Sequence, residues 1–407
     1  MKHTPVGRLT ALILSVVFVL AGAGATAQEF PAGPQAHAFP PGARAYGMGG
    51  AFVAVADDAS ALYWNPAALG ESRFGLLVSA GAQQVDRIQD MVALAEAMES
   101  GGDPGIALPV QVSLPVAGLA ALTLGPLGLG AQVEGWATAD VKEESINNPD
   151  TGDPIKSVPT GTVAYSYLVP ARAGLGIRVL SLGPVGSLSL GVAGSYYFPG
   201  MGEAGSYVME VADAPPSDPE DPVYTTTETR LTPEGYAVAL GLKARLTPWI
   251  AVGAVAHDVV STLAWSGDQV TTTYTYDPVE EGIKSQETAT EVPTQPAARP
   301  MTYQYGLAIT PPFLGLTVAA DLDSEQVAHL GAEWRIFGIL ALRAGYVTPL
   351  AALTGGDALL PADYGAPLRA GLSLGLPFLH VHAGAGFASA DELSTVQDAM
   401  AEVSLHF

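Results

Sequence analysis

The chain has 407 residues, 48% of them hydrophobic and only 14% charged, with 47 Gly, 32 Pro and no Cys. A net charge of −23 at pH 7 argues against nucleic acid as a partner, because phosphate contacts need Lys and Arg. With no cysteine there is no disulfide framework, and a mean hydropathy of +0.28 is high for a soluble exported protein.

The first residues read as a secretory signal. Lys2 and Arg8 form a basic region, Leu9 to Ala21 an apolar one, and Ala25-Thr26-Ala27 an A-x-A cleavage site. This predicts a signal peptide over 1–27 and a mature chain from Gln28. Beyond it no apolar run reaches the ~18 residues of a transmembrane helix. In lipid, backbone polar groups must be satisfied internally, and only helices and closed barrels do that, which leaves the barrel.

Gly42 to Gly70, GARAYGMGGAFVAVADDASALYWNPAALG, follows neither helical nor strand periodicity. Gly47, Gly49 and Gly50 can take positive φ or lie close to another segment. Asp57 or Asp58 is placed to cap a short helical turn through Leu62, which Asn65 before Pro66 should stop. The order of these residues resembles the N-terminal plug, or hatch, of FadL-type outer-membrane barrels. It is more similar still to that segment in their PorV/PorQ-like and TraF-like relatives. The resemblance implies a plug over 28–71, with Gly47, Gly49, Gly50, Asp57, Asp58, Asn65 and Pro66 as its key residues, and a barrel over 72–407.

From Phe74 onward, apolar residues recur on one parity with small or polar ones on the other, the pattern of a transmembrane antiparallel β-barrel. Phe74, Leu76, Val78 and Ala80 open the series. Residues 86–100 interrupt it with helical spacing (Ile88, Met91, Val92, Leu94, Ala95, Met98), predicting a short amphipathic helix on the first external loop. Alternation resumes at Leu127, Leu188, Tyr236 and Ile250, and is cleanest from Tyr303 to the end. Taking 158–182 as one long strand kinked at Pro170, the count is about fourteen strands, the number the FadL-type resemblance also implies. Short Pro/Gly turns alternate with longer acidic connections. The acid-rich stretches 140–154, 203–234 and 279–291 are expected to be solvated loops.

Charges facing lipid at mid-depth cost roughly 2–4 kcal/mol each, so parity should turn Lys243, Arg245, Asp321, His329, Glu333, Arg335, Arg343 and Arg369 into the lumen. There the cations can pair with Asp321, Glu333, Asp57 and Asp58. Tyr303, Tyr305, Trp334 and Tyr346 on the other face suit interfacial girdles. The final alternation, with Val403, Leu405 and Phe407 on one face, resembles the C-terminal signal read by the barrel-assembly machinery.

Signs of catalysis are lacking. Gly47-Met48-Gly49-Gly50 has neither dinucleotide-binding spacing nor a following Lys-Ser/Thr. No Gly-x-Ser-x-Gly elbow or obvious Ser/His/acid arrangement is present. Asp57-Asp58 lack further ligands, and His380 with His382 alone make a poor metal site, so neither metal nor cofactor is expected. The resemblance implies a passive outer-membrane port for hydrophobic small molecules such as fatty acids, in contact with membrane lipid, with a lateral exit governed by the plug. The alternative, from the PorV-like and TraF-like relatives, is a docking barrel with a protein partner in secretion or conjugation.

Overall fold

The alternation closes on itself. The computed structural model describes residues 41–407 except 101–104, 106, 148–153, 184–185, 213–221, 278–281, 298, 357, 362–363 and 407. The expected signal peptide, the first part of the expected plug and Phe407 therefore lie outside the described residues. Eighteen strand segments form one antiparallel sheet whose first and last members pair, Gly75 opposite His406 through Ala82 opposite Ala399.

Four of its staves are each broken into two segments, which makes fourteen. β1 is Gly75–Ala82, β2 Val110–Leu124 and β3 Leu127–Asn147. β4 runs Pro154–Leu168 then Ala171–Ser181, and β5 Ser187–Tyr197 then Gly202–Val211. β6 is Pro222–Thr247, unbroken; β7 runs Ile250–Ser261 then Ala264–Asp277, and β8 Gly282–Pro296 then Thr302–Ile309. β9 Leu316–Asp323, β10 Val327–Ile336, β11 Leu340–Pro349, β12 Leu368–Gly375, β13 Leu379–Phe387 and β14 Asp398–His406 complete the wall.

The break in β4 falls at Val169-Pro170, since proline cannot donate to the ladder. The four breaks are joined laterally: Val169 N donates to Met201 O at 2.9 Å and Ala297 N to Leu263 O at 2.8 Å. They form one belt across β4 to β8, crossing the unbroken β6 beside Gly235, at φ +157.

Above the belt the structure corrects the sequence expectation. The acid-rich stretches are largely strand: β3 extends to Asn147, β5 resumes at Gly202 and β8 starts at Gly282. β6 alone has 26 residues, roughly 85 Å at ~3.3 Å per residue, far more than a tilted strand needs to cross a bilayer. Thr and Tyr suit strands, but with polar residues on both faces they leave no parity to read.

A helix, Ile88–Ser100, lies on the predicted segment; Met91 and Leu94 are buried against Val110, Val112, Leu114, Ala139 and Val141. Below the belt, parity separates the faces. Trp334 and Leu372 are half exposed, whereas Glu333, Arg343 and Arg369 between them in the register are buried. What buries them is the N-terminal segment, with two short helices, α1 Ala43–Gly47 and α2 Ala61–Trp64, and a 3-10 turn, Pro66–Glu71.

Candidate functional site: the inner segment and its seat

Residues 42–56 and 58–69 are almost wholly buried, with Tyr46, Met48, Phe52 and Leu62 inaccessible. The chain can enter a lumen this narrow only where both surfaces lack side chains. Gly49 and Gly50 adopt φ +69 and +82; Gly49 passes directly over strand backbone at Leu330 and Gly345, and Gly50 lies against the His329 ring. A Cβ on Gly345 would sit 2.1 Å from Gly49 N, and one on Gly191 2.1 Å from Pro66 C. Gly47 lies on Gly371 in the same way.

α2 ends at Asn65, which is extended at φ −166, ψ 99. Asn65 is inaccessible and fully used: its Nδ2 donates to Val53 O and to Leu242 O of β6, both at 3.0 Å, and its Oδ1 accepts from Ala67 N. Asp58 does not cap α2. Its carboxylate accepts from Ser60 N at 2.9 Å and from Ser60 Oγ in a local turn, and the N-cap position is Ser60, whose side chain makes no capping bond.

The hub is Arg44, which the sequence did not single out. Its guanidinium reaches Asp57 at 2.5 Å, Asp58 at 2.9 Å and Glu333 at 3.0 Å. Glu333, with no exposed surface, also accepts from Arg343 at 2.7 Å and Arg335 at 2.8 Å. One wall carboxylate is thus shared by three guanidiniums, one of them from the segment. Asp57 lies outside the strands; partial burial pushes its pKa up, but Arg44 and Arg335 outweigh that and hold it at about 2.

The other predicted lumen residues all touch the segment or its surroundings. Lys243 donates to Ala56 O at 2.5 Å, and Arg245 pairs with Glu71 at 2.8 Å. His329 lies between Gly49 O at 2.8 Å and Asp323 at 3.1 Å. Asp321 does not pair with a cation as expected: it accepts from Phe52 N and Val53 N at 2.8 Å each, because the segment's backbone donors reach it first. Arg369 donates to Tyr364 O and Ala366 O and lies over the Tyr46 ring at 4.5 Å. Tyr46 OH in turn donates to Asp398, which also accepts from Ala366 N.

A second buried cluster, at the belt, was missed. Arg299 pairs with Glu134 at 2.5 Å and Asp258 at 3.1 Å, and Arg172 donates to Gln132 at 2.7 Å while lying over Tyr63 at 5.2 Å. His257 also stacks on Tyr63, with ring centroids 5.3 Å apart. Arg299 falls in the break of β8, where no alternation exists to place it; Arg172, on inward parity, was readable. Just above, Leu168, Leu263 and Trp265 pack with Tyr197, Ala237 and Leu231. Leu168 opposes Glu134 in the register, so this apolar patch shares the inward face.

At the turn end, Arg44, Asp57, Arg335, Arg343, Ser373, His380, His382 and His406 line a cavity of about 290 Å³. Ser373, His382 and Glu402 stand abreast on β12, β13 and β14, with Ser373 Oγ 2.5 Å from His382 Nδ1 and His382 Nε2 3.4 Å from Glu402. Ser373 also accepts from Arg343, and all three are buried, so they extend the Glu333 network along the wall. Among the described residues no group of three His, Cys, Asp or Glu is placed to hold a metal ion. Val403 is half exposed on the outer face with Leu405 on its parity.

No family model matches the chain, and no curated protein does. Solved structures do. The TodX deltaS2S3 mutant monoaromatic hydrocarbon channel aligns with TM-score 0.53 at 13% identity, over 89% of this chain and 96% of that one. The CymD monoaromatic hydrocarbon channel aligns with TM-score 0.51 at 15% identity, over 90% and 98%. A Pseudomonas aeruginosa FadL homologue aligns over 92% and 98% at 12% identity, with TM-score 0.44. In fold, the chain is a fourteen-stranded barrel of the kind seen in the TodX mutant and CymD channels.

Proposed function

We propose that the chain is an outer-membrane port for hydrophobic small molecules, with residues 28–71 as its plug and 72–407 as its barrel, exported by the signal at 1–27. The observation that carries this is the apolar patch of Leu168, Leu231, Leu263 and Trp265 on the lumen side, above the Arg299 and Arg172 cluster that borders Tyr63 of the segment. A water-filled pore would line that level with polar groups; apolar side chains there suit an apolar solute. The Glu333 and Asp321 contacts hold the segment in place, which keeps ions from leaking. The fold shared with hydrocarbon channels supports the same reading. Fatty acids and small aromatic hydrocarbons both fit this chemistry.

A photoreactive hydrophobic diazirine, applied to the protein in proteoliposomes, tests it. Labelling of peptides containing Leu168, Leu231 or Trp265, competed by excess hydrophobic solute, is the expected result. Labelling confined to outward residues such as Val318 and Leu372, together with a stoichiometric protein partner from solubilised envelopes, would favour the docking barrel instead.

A further inference from the structure

Six connections at the turn end join the staves in pairs, and none contains a charged residue: 125–126, 182–186, 248–249, 310–315, 337–339 and 376–378. Each of the seven connections at the opposite end carries Asp or Glu. Four of the uncharged turns present an aromatic residue, Trp249, Phe313, Phe337 and Phe378, with Leu314 and Ile339 beside them. Phe313 and Phe337 are 103% and 96% exposed, so no packing among the described residues rewards them.

Both are also held in the left-handed region, at φ +70 and +52. A bulky side chain is disfavoured there, and a turn facing water would use Gly, Asn or Asp. The rim is continuous: Thr310 N donates to Trp249 O, Arg335 N to Gly315 O, Gly375 N to Ile339 O and His406 N to Phe378 O, at 2.6–3.0 Å. It also continues the outward apolar face of β12, where Leu372 and Leu374 are half exposed, as is Leu376 in the turn that follows. On its lumen side stand the half-exposed guanidiniums of Arg245 and Arg335.

We propose that this rim is submerged in a phospholipid leaflet, with Phe313 and Phe337 below the phosphates and the Arg245–Arg335 mouth opening among the headgroups rather than into bulk water. Apolar turn tips, an outer face with which they merge and cations at the mouth all match a phospholipid surface. The inference rests on the barrel spanning a bilayer, and its test separates the two.

The chain has no cysteine, so single substitutions take a nitroxide label cleanly. Phe313→Cys and Phe337→Cys are read against Leu372→Cys on the outward wall and Thr288→Cys on the exposed upper part of β8. The proteins are reconstituted in phosphatidylethanolamine–phosphatidylglycerol vesicles, with folding checked by heat-dependent gel mobility. Relative to Thr288, labels at 313 and 337 should show accessibility to a water-soluble nickel chelate, divided by that to oxygen, lower by about threefold or more. Chelate accessibility at 313 and 337 equal to that at 288, with 372 still in lipid, overturns the submerged rim alone. If 372 is also in water, the membrane-spanning reading falls with it. Phe313→Gly and Phe337→Gly relieve the backbone and remove the ring. Relief of the left-handed backbone favours these variants in any medium, so readier unfolding than the parent in vesicles is the expected result, and equal or greater stability there would contradict lipid as the partner of the rings.

Discussion

Glu333→Gln is the sharpest perturbation of the seat. The substitution keeps size and removes the charge shared by Arg44, Arg343 and Arg335. Arg335 is half exposed, so water screens its loss and it adds little. Arg44 and Arg343 are each only 6% exposed, and removing one partner of a buried pair costs roughly 3–5 kcal/mol. Asp57 and Asp58 remain on Arg44, so we take the lower end, about 3 kcal/mol. At 1.4 kcal/mol per decade, that raises the undocked fraction of the segment about a hundredfold. In planar bilayers the parent should be electrically silent and Glu333→Gln should show brief openings. Hydrogen exchange at the amides of Tyr46, Gly49, Gly50 and Ala51, which are bonded within the segment, should accelerate in parallel. Glu402→Gln is the contrast, because Glu402 holds Arg44 N and His382 only at 3.4 Å, and it should stay close to the parent. Unchanged conductance and exchange in Glu333→Gln would refute the shared-carboxylate argument.

Gly345→Ala and Gly191→Ala place a Cβ onto segment backbone at 2.1 Å; both should yield barrels of normal heat-dependent gel mobility that leak ions. Asn65→Ala leaves the buried carbonyls of Val53 and Leu242 without the amide that donates to both and should cost about 2–3 kcal/mol, measured as a fall in the denaturant midpoint of tryptophan fluorescence. Asp57 has its pKa depressed from 3.8 to about 2 in the folded protein, so its contribution is complete above about pH 4 and lost as pH falls towards 2. Exchange protection of the segment, after correction for intrinsic rates, should therefore weaken as pH falls from 4 towards 2; no change over that interval would refute a contribution from Asp57.

What could be read from sequence follows from where a single physical rule applied. Between Tyr303 and His406 each strand has one greasy and one mixed face, and lipid tolerates only the first, so Glu333, Arg343 and Arg369 could be turned inward before any coordinates. Above the belt both faces of β6 to β8 are polar, parity carries no information, and paired strands looked like loops. The kink at Pro170 was legible because proline has no donor, and Pro199-Gly200 in the break at Phe198–Met201 carried the same mark but was not read as one; the break at Thr262–Leu263 has no comparable mark. Partners were harder than faces. Arg44 stands in a stretch without periodicity, and its bond to Glu333 spans 289 positions, a distance over which local pattern says nothing. Asp321 was expected to meet a cation, and only the path of the segment shows that backbone donors occupy it.

The account rests on a barrel that is closed to ions and open to apolar solutes. Proteoliposomes holding the intact protein can report both at once, with an entrapped ion-sensitive dye and an entrapped hydrophobic-solute sensor. Faster entry of the apolar solute than in empty vesicles, with ion permeability unchanged, is the predicted result. Ion leakage without any gain in apolar uptake would contradict it.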